Sequence, residues 1–176
     1  MNDFIQTIQT IYKLKDLNRT GWVHNNIKNP ESIAAHSFGT ALIAMFFSKK
    51  CGVNENTCIK MALIHDLQES IVGDYTPFCD ITEEQKHQKE KDAAKILSIG
   101  LDNNEYLNLF NEYELNETDE ARFVHDCDKL DMLLQAFFYE NEQQIDLETF
   151  FSTCQLPKSF QPLIDVRKSI DLLRKK

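Results

Sequence analysis

The sequence predicts an all-α fold of about eight helices in a single domain spanning 1–176. Three observations carry that expectation. Apolar side chains recur every three to four residues along most of the chain, the spacing of one buried helix face. Gly (5) and Pro (4) are scarce in 176 residues, which disfavours a turn-rich β-sandwich or barrel. A content of 42% hydrophobic and 27% charged residues suits a globular chain, long enough for one well-buried domain and short for two.

The elements follow in order. Phe4, Ile5, Ile8, Ile11 and Tyr12 place a first helix near 3–15. Residues 18–30, interrupted by Gly21 and Pro30, read as a loop. Ile33, Ala34, Ala41, Leu42, Met45 and Phe46 mark a strongly apolar helix over 31–49, stopped at Cys51-Gly52 because glycine accepts the left-handed cap. A third helix starts near Asn54 and carries Ile59, Met61, Ala62, Leu63, Ile64 and Leu67. Residues 73–80, with Gly73 and Pro77, form a second loop. Thr82-Glu83-Glu84-Gln85 is a capping box, and the charged stretch 83–92 behind it reads as a solvated face. An acidic helix over 102–115 precedes a long one over 117–142, and helices over 146–154 and 159–173 close the chain.

Nineteen Lys and Arg against 28 Asp and Glu leave a formal charge of −9. That balance argues against nucleic-acid polymers and anionic membranes as partners, since both are gripped by clustered cations. A small anionic ligand stays open, with a metal as its attractor. The five cysteines (51, 58, 79, 127 and 154) contain no CxxC pair and read as reduced thiols rather than a disulfide frame or zinc knot. Asp3 stands where a signal peptide would carry bases, and no segment approaches the ~18 apolar residues of a membrane span. A cytoplasmic location is the expectation.

Several ionisable residues do not suit a plain bundle. On a continuous helix, at about 100° per residue, Asp66 projects about 100° and Glu69 about 40° from His65. Leu63, Ile64 and Leu67 would form the apolar face, with small Ala62 leaving room one turn earlier. An imidazole and two carboxylates thus converge, a mixed N/O set that suits a borderline cation; the alternative is a surface histidine beside exposed acids. His36 opens a greasy helix and shares a face with Gly39, Thr40 and Ile43, where a core histidine is the plainer reading. Asp128 has Val124 and Met132 one turn away. A carboxylate facing a packed core is costly unless compensated, and turning to solvent is the alternative.

His36, His65-Asp66 and Asp128 fall on three separate helices, a constellation that resembles the HD-domain metal-dependent phosphohydrolase superfamily. The flanking blocks narrow the resemblance. Arg19-Thr20-Gly21-Trp22, Pro30 to Ser37, His65 to Asp74, and Phe123 to Gln135 are similar to the HD-domain 5′-deoxynucleotidases across about 14–140. The helices of 146–174 are expected to pack on that core. A second dyad, His125-Asp126, would be left with His87 of the charged helix as its upstream ligand and a later Asp in the weakly matching tail. His65-Asp66 is therefore read as the site, and His125 as a supporting or structural residue.

The resemblance implies a reaction and its parts. His36, His65, Asp66 and Asp128 would bind a divalent ion, with Mn²⁺, Co²⁺ or Fe²⁺ suiting the N₂O₂ set better than Mg²⁺ and Zn²⁺ also open. Glu69 would be the general acid or base. Arg19, Trp22 and Asp74 would handle the nucleotide, with Asp74 near the sugar 3′-hydroxyl and the loop disfavouring a 2′-hydroxyl. Taken alone, these three read equally as a surface cation, a core plug and a turn residue. Lys86 and Lys89 are candidate phosphate contacts, and His24-Asn25-Asn26 departs from relatives that often carry an Arg after the Trp. The expected reaction is hydrolysis of deoxyribonucleoside 5′-monophosphates, by a protein whose relatives are commonly homodimers. The alternatives are a phosphohydrolase acting on another nucleotide or small phosphoester, and a non-catalytic nucleotide sensor.

Overall fold

The computed structural model describes residues 2–75, 81–154 and 159–175. Among them run α1 (Asn2–Ile11), α2 (Thr20–His24), α3 (Ile33–Cys51), α4 (Glu55–Ile64) and α5 (Glu69–Val72). They are followed by α6 (Glu83–Leu101), α7 (Asn104–Leu115), α8 (Asp119–Gln143), α9 (Glu148–Thr153) and α10 (Gln161–Arg174). A 3₁₀ turn, Tyr12–Lys15, extends α1, and one isolated antiparallel bridge joins Asn18 to Ser32. No strand forms among the described residues. Pro77 and Cys79, with most of the second loop, lie outside them.

Side-chain caps set the starts of five helices. Ser32 accepts from the Ala35 N–H, Asn54 from Thr57, Asn103 from Tyr106 and Thr118 from Ala121. Thr82 and Gln85 close the expected capping box. Gly52 ends α3 at φ +76°, the left-handed cap that a side chain would disfavour.

Helices α3, α4 and α8 pack on one another, and α10 packs on α3 and α8. The main core fills this space with Ala44, Met61, Phe123, Val124, Leu130, Leu133 and Leu163, all almost fully buried. A smaller cluster of Ala94, Leu97, Tyr106 and Phe110 joins α6 to α7 and touches Ile64 and Leu67. Arg174 ties α10 to the rest through Glu140 (2.7 Å) and Glu148 (2.9 Å).

Among the described residues ten α-helices stand where eight helices were expected, and the two additions are short. Helix α2 lies inside the predicted loop. Its first N–H, from Thr20, donates to the Asp74 carboxylate, and its middle residue Trp22 is buried. Helix α5 exists because the predicted third helix stops at Ile64 instead of running on. That stop also moves the apolar face. Cys58, Met61 and Ala62 are buried, whereas Leu63 is exposed. In the charged stretch of α6, Glu90 departs from the solvated face and is buried.

Candidate active site

The break after Ile64 brings Asp66 and Glu69 onto one turn. From residue 65 the chain tightens into i→i−3 bonds: Leu67 N–H to Ile64, Glu69 to Asp66 and Ser70 to Leu67, each 3.1 Å. A three-residue turn eclipses positions i and i+3. Asp66 and Glu69 therefore share a side more closely than the roughly 60° separation of a continuous helix. His65 keeps its ring in place by bonding through Nδ1 to the Ala62 carbonyl at 2.7 Å.

His36, from the first turn of α3, meets this turn edge-on, its ring centroid 5.3 Å from that of His65. The Nε2 of His65 lies 3.3 Å from Asp66 Oδ2, and the Nε2 of His36 lies 3.9 Å from the same oxygen. Asp128, from α8, reaches His36 Nε2 at 3.0 Å. One donor atom each from His36, His65 and Asp66 fall within 4.8 Å of one another. Both Nε2 atoms are buried and lack a hydrogen-bond partner of acceptable geometry. A buried nitrogen left unpaired costs about 1–3 kcal/mol unless something satisfies it. Two such nitrogens aimed at carboxylates suit a cation.

A cavity of about 330 Å³ opens in front of this group. Arg19, His65, Asp66, Glu69, Asp74 and Asp128 all line it, as does Lys86. Arg19 pairs with Asp66 at 3.3 Å. Asp74 is tied to the start of α2 by the Thr20 N–H and hydroxyl, the latter at 3.0 Å. Trp22 is not brought there. It is 1% exposed, stacked on Phe150 with its ring edge on Tyr139, and its indole N–H donates to Glu31 at 2.9 Å. Lys89 turns instead to the Tyr75 hydroxyl. His87 pairs with Glu114, away from the imidazole pair.

Burial and charge shape the titrations. Burial raises the Glu69 carboxyl well above its usual value; Asp66 and Asp74 add to the rise, and Arg19 opposes it. Burial and Arg19 press His36 down, yet the carboxylates of Asp128 and Asp131 raise it to about 9. Burial opposes ionisation of Asp128, but the imidazoles and Arg19 hold it far below the usual carboxylate range.

Some cavity residues escaped the sequence reading. Tyr113 donates its hydroxyl to Asp128 at 3.4 Å and stacks on His125, 3.8 Å between ring centroids. The Nε2 of His125 bonds to the Tyr113 carbonyl, so this second histidine supports the wall of the cavity. Glu90 and Glu114 also line it. Nothing in the apolar spacing of α7 singles out Tyr113. Asp131 had an available signal, its i+3 spacing from Asp128.

Comparison with known proteins decides the family. The model of the HD domain matches residues 11–160. The chain belongs to the HD-domain family. Among HD-domain relatives, it is 39% identical to the 5′-deoxynucleotidase HDDC2 of Dictyostelium discoideum, over 87% of this chain and 88% of that one. The fold superposes on the PH0347 protein of Pyrococcus horikoshii with a TM-score of 0.76 and 32% identity, over 94% and 97% of the two chains. A protein from Magnetospirillum magnetotacticum, described as a predicted metal-dependent phosphohydrolase, superposes at 0.74 with 25% identity over 96% and 89%.

Proposed function

We propose that this HD-domain protein is a metal-dependent 5′-deoxynucleotidase, releasing phosphate from deoxyribonucleoside 5′-monophosphates. One observation carries the reading. Two buried imidazole nitrogens without a well-directed hydrogen bond converge with the Asp66 carboxylate, and His65 and Asp66 line a cavity that also holds Arg19 and Glu69. The likeness to proteins named 5′-deoxynucleotidase supplies the substrate class.

In this reading His36, His65, Asp66 and Asp128 hold a divalent ion, with Mn²⁺, Co²⁺ or Fe²⁺ favoured by the mixed nitrogen and oxygen donors. When bound, such an ion neutralises phosphoryl oxygens and acidifies water, chemistry needed for an ester whose unaided hydrolysis is extremely slow. Arg19 offers a planar fork to the phosphate. Glu69, whose carboxyl is raised well above its usual value by burial and the neighbouring acids, carries the proton exchanged with water or the leaving 5′-oxygen. Asp74, at the cavity edge, faces the sugar.

The reading takes the 176 residues as one HD domain, supported by the packing of α10 on α3 and α8. It extends to a cytoplasmic homodimer. Leu172 and Leu173, exposed on α10, support pairing, and no described helix is long and apolar enough to cross a membrane. The deciding experiment is phosphate release by purified protein with Mn²⁺ or Co²⁺, comparing dAMP, dGMP, dCMP, dTMP and dUMP with their ribonucleotides. Release from the deoxy series above the ribo series is expected. No release from any of them would sink the assignment.

A further inference from the structure

The two ring nitrogens of His36 face different groups. Nε2 faces Asp66 and Asp128, and Nδ1 lies 2.8 Å from Oδ2 of Asp131, one turn further along α8. A histidine that binds an ion through Nε2 keeps Nδ1 protonated, and whatever accepts that hydrogen bond sets the tautomer and aims the ring. Asp131 occupies that place.

Gly39 keeps the place open. It lies near the middle of the 19-residue α3, about one turn after His36, where glycine is less favourable than alanine. Its backbone is not left-handed, so conformation does not demand glycine there; space does. A Cβ at 39 would sit 2.9 Å from Asp131 Cγ and closer still to Oδ1. The part of Asp131 that would have to move is the carboxylate that holds the imidazole. Glu31 is also near, with donor atoms of Glu31, His36 and Asp131 within 4.8 Å. It takes its hydrogen bond from Trp22 at 2.9 Å and leaves the imidazole to Asp131.

We propose that Asp131 is a positioning residue: by accepting from Nδ1–H it holds His36 with Nε2 turned toward Asp66 and Asp128, and Gly39 admits it. The inference rests on the metal reading above, so its test has one arm that needs no metal. In metal-free protein labelled with ¹⁵N-histidine, the wild type shows a downfield, slowly exchanging proton coupled to Nδ1 of His36. Asp131→Ala and Gly39→Ala lose that resonance. By calorimetry, Mn²⁺ affinity falls about 10–100-fold in both, the range seen when such supporting partners are removed. Asp131→Asn keeps an acceptor oxygen and recovers most of that affinity. Gly39→Ala leaves the carboxylate chemically intact and carries the test if Asp131→Ala fails to fold. An Nδ1 proton unchanged in the folded variants, or Mn²⁺ affinity equal to the wild type, overturns the proposal. Wild-type protein that shows the resonance but takes up no Mn²⁺ would sink the phosphohydrolase reading, while the Nδ1 proton would still decide whether Asp131 holds the ring.

Discussion

Asp66 and Glu69 stand three residues apart on one turn, yet their surroundings suit them to opposite tasks in the proposed reaction. Asp66 touches both imidazoles and Arg19, so a cation that satisfies those nitrogens also takes up its charge. Glu69 is buried with Oε2 unpartnered, and its raised carboxyl suits proton transfer better than ligation. The two substitutions should therefore separate. Asp66→Ala is expected to lose both Mn²⁺ binding and turnover. Glu69→Gln should bind Mn²⁺ as the wild type does while kcat falls about 10²–10⁴-fold, the usual contribution of a positioned acid or base. Calorimetry with Mn²⁺ beside a phosphate-release assay reads both quantities, and a Glu69→Gln protein of full activity would remove Glu69 from the reaction. Both residues were legible in the sequence, because carboxylates beside a histidine in an apolar helix are hard to explain as packing. Trp22 was not legible in this way. Its partners Tyr139 and Phe150 lie more than a hundred residues away, and local sequence cannot say whether an indole faces a cavity or a core.

At the scale of elements, the helices with several turns were readable and the one-turn pieces were not. A period of 3.6 needs repetition to show, and α2 and α5, five and four residues long, offer none. Helix α6 shows the other limit. Its first turns read as a solvated face, and for Glu83, Glu84 and Lys91 that holds. Glu90 turns instead into the cavity, where burial and the charges of Glu114 and Asp66 outweigh Lys86 and raise its carboxyl to about 7. The sign of the consequence follows from proton linkage. Between about 4.5 and 7 the folded state binds the proton and the unfolded state does not, so stability falls as pH rises through that window. Above it, the fold carries a buried carboxylate. Glu90→Gln removes the penalty. In metal-free protein at pH 8 it should melt higher than the wild type, by on the order of 1–2 kcal/mol after allowance for solvent screening, and the gain should shrink toward pH 5. Thermal unfolding at the two pH values checks this, and a gain that is the same at both would mean Glu90 titrates normally in the fold.

For the whole molecule, a charge of −9 is a poor start for binding a phosphate ester, and the cavity sharpens the conflict. Asp66, Glu69, Asp74, Glu90, Glu114 and Asp128 face Arg19 and Lys86, and Arg19 is already engaged with Asp66 at 3.3 Å. At an effective dielectric near 20, two like charges about 4 Å apart repel by roughly 4 kcal/mol, so the metal-free cavity should reject a nucleotide anion. A divalent cation held by His36, His65, Asp66 and Asp128, as proposed, would offset the charge of the two ligand carboxylates and free the Arg19 fork for the phosphate. Binding linkage is reciprocal: if the ion raises nucleotide affinity by some factor, the nucleotide raises ion affinity by the same factor. Glu69→Gln protein, slowed in turnover, makes the coupling measurable. After chelator treatment, dAMP alone should leave its melting temperature unchanged. Mn²⁺ alone should raise stability by about 2.7 kcal/mol at a hundredfold excess over its Kd. Together they should stabilise by more than the sum of the separate effects. A metal-free protein that dAMP stabilises as strongly as the Mn²⁺-loaded one would show that the cations of the chain suffice. The four residues converging on the buried nitrogens would then need another explanation.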